Sequence, residues 1–243
     1  MATERIHGHT VYTPILGRDP VVLDLGANRG GFSEAFVERF GGSAFLVEAN
    51  PSLASFLREQ KRFPVAEHAV CDRNGPVAFH VARNDEGSSL LTLPEQNAYD
   101  CVLVETVEVA GRTIDSLIEH FELDHIDLVK MDVEGAEVQA LGTLSTETMR
   151  NIGQITVEFH SDVEFGFDIG EAVEDVIKRL QELGFLFWDF SGETRRDVLF
   201  VNRRAVPLPS RIKWSIRSNP PSWLKLMWKR LPQSIRGRLN RDV

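Results

Sequence analysis

The sequence has few of the features that define secreted and membrane proteins. Its 243 residues include two cysteines, Cys71 and Cys101, which are too few for a disulfide framework and lack metal-ligand spacing. A membrane-spanning helix needs about 20 apolar residues, and every uninterrupted apolar run here is shorter. The opening residues, Met-Ala-Thr-Glu-Arg, lack the apolar core of a secretion signal. We therefore expect a cytoplasmic protein in a reducing compartment.

The composition also lacks the extremes typical of disordered, collagenous and coiled-coil proteins, with 42% hydrophobic and 26% charged residues. Its charge, however, is unevenly distributed. Residues 203–243 carry 11 Lys and Arg but one acidic residue, whereas the preceding residues carry 16 basic and 35 acidic side chains. An acidic body disfavours nucleic-acid binding, because the phosphate backbone is also negative. We expect no nucleic-acid partner, and the basic tail needs a separate explanation.

Short β-branched runs alternate with amphipathic segments along most of the chain. We predict strands at 21–25, 44–47, 65–70, 126–131, 152–159, 185–188 and 198–201. We predict an antiparallel pair at 77–81 and 102–109, and helices at 33–40, from 51, and at 113–121, 136–141 and 171–183. This order predicts an α/β fold with a mostly parallel sheet and helices on both faces. We divide the chain into an N-terminal lead-in (1–20), one domain (21–202) and a basic, tryptophan-rich tail (203–243).

The first predicted strand ends in a glycine turn that leads into a helix. Such a turn lets the backbone approach a ligand closely, and we expect it to bind a cofactor through Asp24, Gly26, Ala27, Asn28 and Gly30. The spacing is not the G-x-G-x-x-G of a nicotinamide site. Asp24 would repel a pyrophosphate, but it would attract the ammonium group of an amino acid.

A second acid lies eighteen residues after Gly30, where the next strand ends. Glu48, followed by Ala49, is placed to accept hydrogen bonds from both hydroxyls of a ribose. With Asp24, it predicts a ligand that has a cationic end and a ribose, which describes S-adenosylmethionine. An adenosine-cofactor oxidoreductase of the NAD type is the alternative. Asp72 follows the third strand, where it either accepts the adenine amino group or simply begins a turn.

These motifs resemble the FkbM family of S-adenosylmethionine-dependent methyltransferases. The resemblance rests on residues 23–30, 47–51 and 88–91, and above all on residues 126–137, IDLVKMDVEGAE, followed by VEFH at 157–160. It implies a class I methyltransferase fold, Rossmann-like, with a seven-stranded sheet and an antiparallel final strand. It also implies O-methylation of a hydroxyl on a sugar, a glycolipid or a secondary metabolite, and hence a small-molecule, glycan or lipid-linked acceptor.

The predicted fourth and fifth strands bring ionisable side chains to the acceptor side. Asp132, Glu158 and His160 are our candidate catalytic residues, because a sugar hydroxyl needs a general base or a metal to become a nucleophile. We also expect Asp132 to bind the cofactor, at its methyl-donor end. His160 has the best intrinsic pKa for a base at neutral pH. We assign no metal ligand, and a divalent ion held by the same three residues is the alternative. We expect Lys130 to neutralise a buried cluster, Glu134 to turn the chain, and Glu137 to lie in the first turn of the next helix. Ser88 and Ser89 either line the cleft or belong to a loop.

The tail holds three of the four tryptophans. Apolar residues recur there at helical spacing, at Trp223, Leu224, Met227 and Trp228, with basic residues around the other side. This pattern predicts that residues 210–243 contact an anionic membrane surface, at the inner face of the membrane. The alternative is a helix that packs its apolar face on the acidic body. A non-catalytic module that uses this tail to bind a membrane or partner is the third hypothesis, and the oligomeric state is not predicted.

Overall fold

A computed structural model describes residues 2–83, 88–90, 103–160, 170–192 and 194–206, so the predicted helix in the tail lies outside the described residues. The strands are β1 (Thr3–Ile6), β2 (His9–Tyr12), β3 (Val21–Leu25), β4 (Ser43–Glu48), β5 (Val65–Glu67), β6 (Ala69–Val70), β7 (Gly75–Ala82), β8 (Leu103–Arg112), β9 (Ile126–Met131), β10 (Ile152–Val157), β11 (Phe185–Asp189) and β12 (Val198–Asn202). The helices are α1 (Gly31–Phe40), α2 (Pro51–Gln60), α3 (Ile114–His120), α4 (Glu137–Thr143), α5 (Thr146–Arg150) and α6 (Gly170–Glu182).

A seven-stranded sheet in the order β11-β12-β10-β9-β3-β4-β5 forms the centre of the molecule. Five neighbouring strands, from β10 to β5, are parallel, and β12 runs antiparallel to both β10 and β11. Every residue of β9 and β10 is buried, as expected for strands that are covered on both faces. The structure therefore confirms the predicted mostly parallel sheet with an antiparallel final strand.

Helices cover this sheet on both faces. Leu23 and Val129 pack with residues of α3, α4 and α6, whereas Val22 and Leu128, their neighbours in sequence, pack with residues of α1 and α2. This alternation follows from the period of two in a strand. Among the described residues, no helix combines the length and the apolar character needed to cross a membrane.

The predicted strand 65–70 divides at His68 into two strands of different sheets. β5 pairs with β4 in the main sheet, whereas β6 pairs with β8 in a three-stranded sheet ordered β6-β8-β7. The predicted antiparallel pair is present as β7 and β8, although residue 102, where we began its second strand, lies outside the described residues. The predicted strand 152–159 stops at Val157, so Glu158 and His160 lie just beyond its carboxyl end.

The N-terminal segment, for which we predicted a lead-in, contains a hairpin anchored to the main sheet. β1 and β2 pair antiparallel. The Thr10 hydroxyl donates to the buried Asp197 carboxylate at 2.7 Å. The Tyr12 backbone N–H donates to the Gln154 side chain at 2.8 Å, and the Gln154 amide donates back to the Tyr12 carbonyl at 3.2 Å. Because these bonds are buried, the hairpin is fixed relative to β10 and β12.

Candidate active site

A cavity of about 520 Å³ opens where β3, β4, β9 and β10 end. Ligand sites in parallel α/β sheets lie at this edge. Its wall comes from the segments that follow these four strands, from the N-terminal hairpin and from the three-stranded sheet. The charged and imidazole groups in the wall are His7, His9, Arg29, Glu48, His68, Lys130, Asp132, Glu134, Glu158 and His160.

The glycine turn passes beneath the loop that follows β9. Gly26 has a φ of +77°, and a Cβ there would lie 1.7 Å from the Asp132 carbonyl oxygen, so this position requires glycine. The backbone N–H groups of Gly26 and Ala27 both donate to the Val47 carbonyl at 3.0 Å. Ala27 and Asn28 line the cavity, whereas Gly30 caps α1 at a φ of +81°.

Glu48 lies at the end of β4, in the cavity wall beside Ala49. One carboxylate oxygen accepts from the Asn28 N–H at 2.7 Å, and the other accepts from the Asn50 N–H at 2.8 Å. Burial raises the pKa of Glu48, while these two backbone bonds act in the opposite direction. Each carboxylate oxygen has a second lone pair. The side chain is therefore fixed with acceptor capacity remaining for a ligand hydroxyl.

Asp24 is fully buried beneath the cavity, and the described residues that line the cavity do not include it. It accepts from the Ser33 hydroxyl at 2.6 Å, and its other oxygen lies 3.4 Å from the Lys130 ammonium. Lys130 also donates to the Gly26 carbonyl at 2.7 Å and lies 3.7 Å from Asp132. Burial by itself lowers the pKa of Lys130, but Asp24 and Asp132 outweigh it and raise that pKa. The structure thus places Asp24 as a partner of Lys130, which differs from the expected direct contact with a ligand ammonium.

Asp72 is 41% exposed and lies 3.3 Å from the adjacent Arg73 guanidinium. The described residues of the cavity wall do not include Asp72, and at this side the wall is formed instead by His68, Ala69 and Val70. This position favours the turn interpretation of Asp72, and its contact with adenine stays a prediction.

Asp132 brings three cationic or imidazole groups together at the cavity wall. Its carboxylate lies 3.7 Å from Lys130, 3.7 Å from the His9 ring and 3.8 Å from the His160 ring. Burial alone would raise the pKa of Asp132, but Lys130, His9 and His160 outweigh burial and lower it. Asp132 is therefore a carboxylate at neutral pH.

His160 is buried between carboxylates. Its Nδ1 lies 3.0 Å from Glu137, its Nε2 lies 3.2 Å from Glu134, and the same Nε2 lies 3.9 Å from Glu158. Burial opposes protonation, but Glu137, Glu134 and Asp132 raise the pKa of His160 to about 10. A protonated imidazole cannot accept a proton, so these carboxylates disfavour His160 as the general base, and its catalytic role stays a prediction.

Two further carboxylates complete the wall. Burial raises the pKa of Glu134 to about 8, with Asp132, Glu137 and Glu158 adding to this effect and His160 opposing it. Burial and Asp132 also raise the pKa of Glu158, which is 27% exposed. We predicted Glu134 only as a turn residue. The run of acidic residues that follows β9 could have indicated that it lines the site.

Residues far apart in sequence close the remaining sides of the cavity. Ser88 lines the cavity and accepts from the Ala82 N–H at 3.0 Å, and the Ser89 hydroxyl donates to the Glu134 carbonyl. Both serines therefore belong to the site, one in its wall and one supporting a wall residue. His9 enters from the N-terminal hairpin, and no local motif in the sequence analysis predicted it.

Comparison with known proteins gives consistent matches. Residues 24–187 match the methyltransferase FkbM domain. The 2-O-methyltransferase NoeI of Sinorhizobium fredii is 31% identical over a segment that covers 60% of this chain and 65% of that protein, just under two thirds of its length. The precorrin-6y C5,15-methyltransferase of Geobacter metallireducens aligns at a TM-score of 0.39 and 14% identity, covering 71% of this chain and 67% of the other. The fibrillarin pre-rRNA processing protein of Methanococcus jannaschii aligns at 0.42 and 16% identity, covering 78% and 67%.

Proposed function

This chain belongs to the FkbM methyltransferase family, and from that premise we propose that it transfers the methyl group of S-adenosylmethionine to an acceptor hydroxyl. The observation that carries the proposal is the position of Glu48. Its carboxylate ends β4 in the cavity wall and is held by two backbone N–H groups at 2.7 and 2.8 Å. A fixed carboxylate beside a glycine turn is suited to the two hydroxyls of a ribose.

Two groups in the cavity wall are suited to activating the acceptor. In the proposed reaction the hydroxyl oxygen attacks the methyl carbon, the carbon–sulfur bond breaks, and the products are a methyl ether, S-adenosylhomocysteine and a proton. Asp132 and Glu158 are carboxylates at the ends of adjacent strands, and both reach the cavity. We assign to this pair the activation of the hydroxyl, either by accepting its proton or by holding a cation that promotes its ionisation.

We also propose that the acceptor is a hydroxyl of a sugar, a glycolipid or a secondary metabolite. The name of the related NoeI, a 2-O-methyltransferase, supports oxygen as the methylated atom. The carboxylates and imidazoles of the cavity wall support a polar acceptor, because such groups bind hydroxyls by hydrogen bonds.

Ligand-induced stabilisation tests the cofactor. S-adenosylhomocysteine at about 100 times its dissociation constant is expected to stabilise the folded chain by about 2.7 kcal/mol. NAD⁺, the adenosine cofactor of the alternative oxidoreductase, is expected to leave the melting temperature unchanged. Stabilisation by NAD⁺ alone would favour the oxidoreductase, and a melting temperature insensitive to both ligands would favour a non-catalytic module.

For the tail, we propose that residues 210–243 contact an anionic membrane, where they would bring the enzyme to a lipid-linked acceptor. Support comes from the sequence, in which tryptophans lie beside Lys and Arg. The full chain should co-sediment with vesicles that contain anionic lipid and not with neutral vesicles, and removal of 210–243 should abolish this binding. Equal sedimentation of the full and shortened chains would favour packing of the tail on the acidic body.

A further inference from the structure

The N-terminal hairpin delivers a buried imidazole to the cavity. His9 is 2% exposed, and its ring packs edge-on against Phe32 at a centroid distance of 5.6 Å. His9 pairs with Ile6 in the hairpin, and the next residue, Thr10, donates two hydrogen bonds to Asp197. The ring is therefore positioned by the folded chain before any ligand binds.

This imidazole is aimed at the site without a hydrogen-bond partner among the described residues. His9 Nε2 faces Asp132 Oδ2 at 3.7 Å, which is longer than a hydrogen bond, and His9 Nδ1 is buried without a partner in the described chain. Asp132 Oδ1 is likewise buried and lacks a hydrogen bond to a described group. Buried polar atoms are nearly always paired, so the absence of a hydrogen bond at both side chains calls for an explanation, and the atom that His9 presents to Asp132 is Nε2.

Glu158 completes a three-residue cluster with His9 and Asp132. One ligand atom from each residue lies within 4.8 Å of the other two. Three ligands bound at about 2.1 Å to one divalent cation lie about 3.0–3.6 Å from one another, so the three side chains must approach by up to about 1–2 Å to bind it. One imidazole and two carboxylates form a donor set suited to Mn²⁺ and Zn²⁺.

A second cluster, Asp132 with Glu134 and His160, has similar spacing but a different chemistry. Both ring nitrogens of His160 already face carboxylates, Nδ1 towards Glu137 at 3.0 Å and Nε2 towards Glu134 at 3.2 Å. Both ring nitrogens of His160 therefore already have carboxylate partners, and binding of an ion to this ring would cost one of these contacts. The imidazole of His9 is not committed in this way.

We propose that His9, Asp132 and Glu158 bind one divalent cation at the acceptor side of the cavity. In this ligand set, His9 takes the place that the sequence analysis gave to His160. The N-terminal hairpin thereby becomes part of the active site. The role of the ion in methyl transfer rests on the proposed function: there it would bind the acceptor hydroxyl and lower its pKa. Cation binding itself does not depend on that function.

Titration with Mn²⁺, followed by the electron paramagnetic resonance signal of the free ion, tests the site on the full chain. The wild-type chain should bind one Mn²⁺ per molecule below about 1 mM, within the range of protein sites for divalent ions. His9→Ala should weaken binding by at least about tenfold, since even residues that only orient metal ligands have effects of this size. Glu158→Gln, at a partly exposed position that tolerates substitution, should weaken it similarly.

Two variants serve as matched controls. His7→Asn removes an exposed imidazole from the same hairpin and the same cavity wall, and asparagine suits its φ of +43°. Glu134→Gln removes a carboxylate that belongs to the other cluster. Both should bind Mn²⁺ like the wild-type chain, and thermal melting without metal shows which variants are folded.

Three results would overturn the metal site: a wild-type chain that leaves Mn²⁺ free, folded His9→Ala and Glu158→Gln variants that bind like wild type, or loss of binding in Glu134→Gln. Titration of the same preparations with S-adenosylhomocysteine tests the proposed function separately. Nucleoside binding without Mn²⁺ binding rejects the cation site and leaves the methyltransferase proposal in place. Mn²⁺ binding without nucleoside binding does the reverse.

Discussion

Replacement of Glu48 tests the cofactor site most directly. The carboxylate already accepts two backbone N–H bonds and, in the proposed complex, accepts two ribose hydroxyls as well. A hydrogen bond to a charged group contributes about 1.5–3 kcal/mol, so loss of both hydroxyl contacts removes about 3–6 kcal/mol of binding free energy. Since about 1.4 kcal/mol corresponds to a tenfold change, Glu48→Ala should raise the dissociation constant of S-adenosylhomocysteine at least about 100-fold.

The same substitution has a smaller effect on folding. It leaves the Asn28 and Asn50 N–H groups without their acceptor, at a cost of about 1–3 kcal/mol for each group that water does not reach. Water in the cavity can replace the lost acceptor, so the variant should fold and can be measured. Calorimetric titration gives the dissociation constant, and urea unfolding of the ligand-free variant gives its stability.

Asp72→Ala is the matched control for this experiment. Both acids were predicted from the sequence to bind the nucleoside, but Glu48 lies in the cavity wall and Asp72 is exposed beside Arg73. We expect Asp72→Ala to bind S-adenosylhomocysteine with unchanged affinity. If Glu48→Ala binds it as tightly as the wild-type chain, the assignment of the ribose to Glu48 is refuted, whereas weaker binding by Asp72→Ala would support the contact of Asp72 with adenine.

Two further substitutions test how the site is built. Gly26→Ala would place a Cβ 1.7 Å from the Asp132 carbonyl oxygen at a φ of +77°, and it should lower the free energy of unfolding by about 3 kcal/mol or more. Gly142→Ala is the control: its Cβ would meet no atom within 4 Å, and it should change the free energy of unfolding by at most about 1 kcal/mol. Lys130→Met leaves the buried Asp24 carboxylate unpaired and should cost about 3–5 kcal/mol in urea unfolding. Adding Asp24→Asn to Lys130→Met should restore more than half of that loss, and no restoration would show that the two side chains are not coupled.

The fold could be predicted largely because its buried strands are visible in the sequence. β9 and β10 are buried along their whole length, and four of the six residues in each are apolar or β-branched. The division between β5 and β6 could not be predicted, since it depends on distant partners. The His68 N–H donates to the Glu48 carbonyl, whereas the Cys71 N–H donates to the Arg112 carbonyl of the other sheet.

The position of a site residue could be predicted where a short sequence motif determines it. It could not be predicted where the position depends on contacts between segments far apart in the sequence. Glu48 lies eighteen residues after Gly30, and this spacing indicates that it ends the strand next to β3. His9 lies 123 positions before Asp132, and their contact depends on how the hairpin docks. Asp24 illustrates a third case: β3 and β9 pair it directly with Lys130, so its charge is engaged within the sheet.

The different surroundings of Asp24 and Glu48 revise how the ligand is held. We expected these two acids to contact opposite ends of one nucleoside, but Asp24 is neutralised by a side-chain cation and Glu48 is held by backbone N–H groups. Backbone amides orient the Glu48 carboxyl group and leave its oxygens able to accept further hydrogen bonds at the cavity wall. Asp24 acts on the cavity through Lys130, because the Lys130 ammonium, which Asp24 holds, contacts both the Gly26 carbonyl and the Asp132 carboxylate. We therefore propose that the glycine turn and Asp132 bind the methionine end of the nucleoside, and that Asp24 positions both of them through Lys130.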